Sequence, residues 1–253
     1  MTTPIPDIYL YCDRWCERCA FASRCEACHV DDTVLRSEPL SFYDQKNKEF
    51  WLSLEANYPA VVESVQRVAI DQKQNLDEFE GMRVRSGYNL FHAKVIKNPL
   101  LSAGRTYEDT VDDWLDQQSE QGILQMQDFI PGSVFQYVSE TISPEEKEHV
   151  NHWIEVIMRY QLQLFLKLSR TFYIQSKEEE GGTQAEGLPA SKGSAKTALV
   201  MMQRSLVSWF LVKDYFSDKA GIENIMLHLY RMIRRLEADF PDVMKFIRTG
   251  LDE

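Results

Sequence analysis

All five cysteines of the chain fall between Cys12 and Cys28, in the order C-x3-C-x2-C-x5-C-x2-C, with His29 directly after the last. No other feature constrains the fold as strongly. So dense a set of thiols must be buried free, oxidised, or gathered around an inorganic centre. An odd number fits a disulfide framework poorly, and in a reducing compartment metal ligation is the better reading. Two C-x2-C turns, Cys16/Cys19 and Cys25/Cys28, can offer four thiolates to one tetrahedral Zn2+ at about 2.3 Å. The gap between those turns is shorter than the roughly 15 to 20 residues of common zinc ribbons. In the other reading, Cys12, Cys16 and Cys19 wrap an iron-sulfur cubane, with Cys25 as fourth thiolate. The expected ligands are therefore drawn from Cys12, Cys16, Cys19, Cys25 and Cys28, and the expected centre is Zn2+ or [4Fe-4S].

The remainder of the chain must build its own core. With 44% hydrophobic residues in 253 positions it has enough apolar material. Twenty-eight Lys and Arg against 39 Asp and Glu give a net charge of -11, which disfavours nucleic acid as a partner. Met1 to Ile8 has neither the basic nor the apolar part of a signal peptide. The most apolar stretch, Ala198 to Val212, is too short and too interrupted to cross a bilayer. The expectation is a cytoplasmic protein with no membrane contact and an unidentified protein or small-molecule partner.

Periodicity predicts helices almost throughout. Residues 49–55 and then 60–79 carry Val61, Val65, Val68, Ala69, Leu76 and Phe79 near one face. The stretch 82–102 is ambiguous, and Pro99 within it reads as a stop. Thr106 opens a short acidic helix to about Gln118. Ser143-Pro144-Glu145-Glu146 is the clearest helix start, with a Ser cap, Pro in the first turn and Glu146 at the capping-box position. That helix should run to about Phe172. Val150, Ile154, Ile157, Gln161, Leu164 and Leu168 lie on its apolar side, with His152, Glu155, Arg159 and Arg170 opposite. The polar composition of 175–193 predicts a mobile loop. Helices follow over 194–216, 221–239 and 241–248. The fold class is thus all-α: a bundle of five to six helices over 32–253, packed around Ala198 to Val212, behind a Cys-rich head at 1–31.

Tyr11-Cys-Asp-Arg-Trp-Cys-Glu-Arg-Cys19, with Ser23-Arg-Cys25, Gly193-Ser-Ala-Lys196 and Gln203-Arg-Ser205, resembles a set of uncharacterised bacterial helical proteins that open with four cysteines. In that resemblance the four correspond to Cys12, Cys16, Cys19 and Cys25. Cys28 has no counterpart, and no activity is implied.

Other constellations are weaker. Glu146-x-x-His149 has the spacing of a carboxylate-bridged di-iron half-site, and Glu155 could join it in a ferritin-like metal enzyme, but there is no second copy. Lys196, Gln203, Arg204, Ser205 and Ser208 are polar in a nearly all-apolar helix and need partners; Glu155, Asp71, Asp77 and Asp214 are candidates. Lys196, Arg204 and Glu155 could instead line a pocket for an anionic ligand beside the cluster. Arg231, Arg234 and Arg235 read as a solvated basic face. No hydrolase or metalloprotease motif is present, so the sequence leaves open whether the protein is an enzyme.

Overall fold

The computed structural model describes residues 3–28, 39–78, 98–129, 132–138, 141–181 and 190–252. The fold is all-α apart from one two-stranded sheet. Its elements are α1 (Leu40–Glu55), α2 (Tyr58–Asp71), α3 (Pro99–Glu120), β1 (Leu124–Phe129), β2 (Gly132–Tyr137), α4 (Pro144–Glu179), α5 (Ser191–Val212) and α6 (Lys219–Asp239). Among the described residues no helix is long and apolar enough to cross a membrane.

α5 is the axis of the body, packed against α1, α2, α4 and α6. Ala198, Leu199, Met202, Leu206, Trp209 and Val212 are fully enclosed there. With neighbours on every side, α5 shows almost no solvent face in its sequence. α4 begins at the expected cap: the Ser143 hydroxyl accepts from Glu146 N, and the Glu146 carboxylate accepts from Ser143 N at 3.0 Å. Its apolar side meets α5, with Val150, Ile154, Ile157, Leu164 and Leu168 buried.

Several boundaries differ from the sequence reading. α4 continues to Glu179 because Phe172 and Ile174 are still buried, and α5 starts at Ser191, whose amide and hydroxyl both donate to Glu178. The expected loop at 175–193 is thereby cut to the residues between these ends, and its centre lies outside the described residues. Pro99 starts a helix instead of stopping one: it occupies the first turn of α3, and the Asn98 side chain caps Leu100 N at 2.8 Å. Most of the ambiguous stretch 82–102 falls outside the described residues. The hairpin β1/β2, in antiparallel register Leu124↔Tyr137, was not expected; Leu124, Phe135 and Tyr137 turn into the core. α2 ends at Asp71. The expected last helix is only a 3-10 turn at Val243–Lys245, following Asp242 in the left-handed region (φ 66).

Candidate metal centre

The Cys-rich head contains three short 3-10 turns, Ile8–Leu10, Cys16–Arg18 and Ala22–Arg24, and among its described residues no longer helix or strand. Its own backbone bonds close short turns, such as Cys19 N to Cys16 O and Cys28 N to Cys25 O, and several of the carbonyls left over are met by the helical body. The Tyr11 carbonyl accepts from the Thr197 hydroxyl, and the Cys12 carbonyl from Lys167 Nζ. The Arg14 carbonyl accepts from Arg159 Nη2 at 2.8 Å. The carbonyls of Glu17 and Cys19 share Asn47 Nδ2, each at 3.1 Å, and that of Arg18 accepts from Trp51 Nε1 at 2.7 Å. Ser23 donates from its amide and its hydroxyl to the Asp44 carboxylate.

A sharp turn lies between Cys12 and Cys16. Arg14 there has φ 59, a left-handed conformation that costs a non-glycine residue about 1–3 kcal/mol and persists only where the surroundings over-determine it. Asp13 supplies part of that determination. One of its oxygens accepts from Trp15 N at 3.1 Å; the other accepts from Tyr160 OH at 2.8 Å and lies 3.7 Å from Arg204. Trp15 is driven into the core against Trp51 and Tyr160. The Arg204 guanidinium lies 3.9 Å from the Trp51 ring centroid and pairs with Glu55 at 2.8 Å. Burial alone would lower its pKa; Tyr160, Glu55 and Asp13 reverse this and hold it above the usual arginine range.

All five cysteines line one cavity of about 290 Å3, together with Asp13, Arg14, Trp15, Glu17 and Arg159. Each cysteine is half-buried and none is in a disulfide. Among the described residues, however, no group of three or more His, Cys, Asp or Glu side chains stands close enough together to hold a single ion. The two C-x2-C pairs, Cys16/Cys19 and Cys25/Cys28, share this one cavity wall. His29 lies outside the described residues. Burial pushes the Cys19 thiol up to about 12 and raises that of Cys12. Both are protonated and neutral at pH 7. Behind Cys12, Lys167 is lowered to about 8, with burial outweighing the pull of Cys12 and Asp13.

Lys196, Arg204 and Glu155, read from sequence as lining one pocket, are engaged separately. Lys196 donates to the carbonyls of Met244 and Phe246 and pairs with Asp252 at 2.8 Å, so it holds the C-terminal segment. Arg204 fixes Asp13. Glu155 takes Arg18 at 2.5 Å. The partners weighed for the buried polar residues of α5 are thus replaced by Asp13, Glu55 and Asp252. Asp77 pairs with Arg234, and Asp214 with Lys219. Arg231 donates to the Asn75 carbonyl, so the basic face of α6 pins the segment after α2 instead of facing only solvent. Glu146, His149 and Glu155 form no ion-holding group: Glu146 is spent on the cap and Glu155 on Arg18. The ferritin-like arrangement is therefore not built.

Sequence reasoning missed what the polar side of α4 does. Glu155 and Arg159, on the polar side of α4, dock the head through Arg18 and the Arg14 carbonyl. Next to them His152 is pushed down by burial and then by Arg18, so it is neutral at pH 7. The two late blocks, Gly193–Lys196 and Gln203–Ser205, do meet the cysteine block in space. At Gly193 a Cβ would stand 2.2 Å from the Tyr11 ring, so only glycine admits Tyr11 there. No known protein family, curated protein or solved structure matches this chain.

Proposed function

We propose that this chain is an iron-sulfur protein of a reducing cytoplasm, in which Cys12, Cys16, Cys19 and Cys25 hold a [4Fe-4S] cluster that passes single electrons to a partner. One observation carries the reading. Five free thiols line a single cavity of about 290 Å3, and a cubane is a ligand that spreads four thiolates around a volume. The cluster would supply a one-electron store.

The chain's own residues do the rest. Cys12, Cys16, Cys19 and Cys25 each release a proton when they ligate. Arg14 and Arg159 at the cavity wall, and Lys167 behind Cys12, offset the negative charge that results. Trp15 and Ile8 close the inner side of the cavity against water. Arg14 and Glu17 are exposed at its outer side, where a partner can approach.

The test is anaerobic purification and reconstitution with ferrous iron and sulfide. The expected result is iron and acid-labile sulfide in equal amounts, with a broad absorption at about 400 nm that bleaches on reduction. Cys12→Ser, Cys16→Ser, Cys19→Ser and Cys25→Ser should each lose it, and Cys28→Ser should keep it. One tightly held zinc, with no iron taken up, overturns the reading.

A further inference from the structure

The chain carries a net charge of -11, yet beside the thiol cavity the local sign is reversed. Arg14 is exposed at the outer side of the cavity and Arg159 lies on its wall. Arg170, further along α4, is close enough to Arg14 that like charge adds to burial in lowering it. Among the described residues none of these three is paired with a carboxylate, whereas Arg18, Arg204 and Arg248 each are.

The same side of α4 is apolar between its arginines. Leu162 and Leu166 are 56% and 53% exposed. At 100° per residue they fall with Arg159 and Arg170 inside about 80° of the helix circumference. Lys167 of the same helix holds the carbonyl of Cys12, so this stripe runs past the thiol cavity. Its extent is limited. Gln161 donates to Asp112, and the acidic face of α3, with exposed Asp109, Asp112, Asp113 and Asp116, therefore begins on the neighbouring side of α4. On the head side the cavity wall carries Glu17. At a salt concentration of about 0.15 M the screening length is about 8 Å, so a partner on the stripe meets the arginines before the rest of the chain. A long polyanion or a flat anionic membrane would meet the carboxylates of α3 as well, and two leucines are a small area to insert into lipid. A small protein with a compact acidic patch fits between these borders.

We infer that the stripe formed by Arg159, Leu162, Leu166 and Arg170, with Arg14 at its edge, is the docking surface for a small acidic one-electron carrier protein. A carrier seated there stands beside the thiol cavity. The inference deepens the iron-sulfur reading of that cavity and rests on it.

The experiment is an NMR titration of isotope-labelled, oxidised plant-type [2Fe-2S] ferredoxin, a small acidic carrier, with the cluster-loaded protein at an ionic strength of about 0.15 M. Wild type should bind it. Leu166→Glu and Arg170→Glu should each raise Kd about tenfold, with iron content and helical circular dichroism unchanged. Arg67→Glu makes the same charge change at an exposed position on α2 and should leave Kd as in wild type.

Loaded wild type that does not bind the ferredoxin overturns the inference and leaves the cluster standing. An Arg67→Glu loss as large as that of Arg170→Glu also overturns it, because overall charge would then suffice. A wild-type dimer in solution that Leu166→Glu dissolves gives the stripe to a second copy of the chain. Retention on phosphatidylglycerol vesicles that both α4 variants abolish gives it to lipid, and either result overturns the inference. Wild type that takes up no iron is a different failure and removes the reading beneath.

Discussion

The head and the helical body are held by opposite means. The body is an apolar assembly in which α5 is enclosed by its neighbours, and its stability comes from buried area, at about 25 cal/mol per Å2. The head buries little of its own beyond Ile5, Ile8, Trp15 and Ala22, and its short turns are held in place by hydrogen bonds donated by residues of α1, α4 and α5. The difference teaches that several polar residues inside the body exist for the head. Lys167 and Arg204 cost desolvation where they stand, and each returns it by fixing one point of the Cys12 to Cys16 turn. Buried polar groups of the scaffold are thus spent on the shape of a thiol loop.

Breaking one region at a time should separate the two. The largest expected effect is Cys16→Ser, which abolishes the bound group while helical circular dichroism and the main thermal transition of the body persist. Loss of helix in parallel would show that the body needs the centre to fold. Arg204→Met should cost about 3 kcal/mol in chemical denaturation, since it strands the Asp13 carboxylate and removes the cation from Trp51. It should also lower metal retention, and full retention would detach Arg204 from the head. Gly193→Ala forces a Cβ onto the Tyr11 ring and should cost about 2 kcal/mol. Its signature is faster release of the group from the turn that begins at Tyr11, with α5 intact.

The smallest effect is a control at the C-terminal latch. Arg248 and Lys196 outweigh burial and hold the Asp252 carboxyl down to about 2, against 3.8 ordinarily. A depressed carboxylate stabilises the fold above its unfolded pKa and loses that contribution as pH falls from about 4 toward about 2. Discounted for solvent screening, the latch is worth about 1 kcal/mol. Acid unfolding of Asp252→Asn should lack this part of the pH slope, with the metal content unchanged. An unaltered slope would remove the latch.

How much of this was legible in the sequence follows the same division. The body was readable because its signals are local. Ser143 and Glu146 sit three residues apart, and the apolar side of α4 repeats within one helix. Pro99 misled because a proline fits both after a helix and in the first turn of one, and the capping Asn98 beside it decides the matter only in space. The hairpin escaped because its strands are six residues each, too short for alternation to stand out. The cysteines announced the site, but its supports could not be read. Thr197, Arg159 and Lys167 bond to residues more than 140 positions away, and no spacing rule connects them. Arg204 looked like a site residue and is one at a remove, since it holds Asp13 and not a ligand.

The most direct test of the central claim is native mass spectrometry of the anaerobically reconstituted protein. The account predicts one species, heavier than the chain by a single [4Fe-4S] core less the protons displaced from its four thiolate ligands. A chain carrying one zinc, or the bare chain alone, would contradict it.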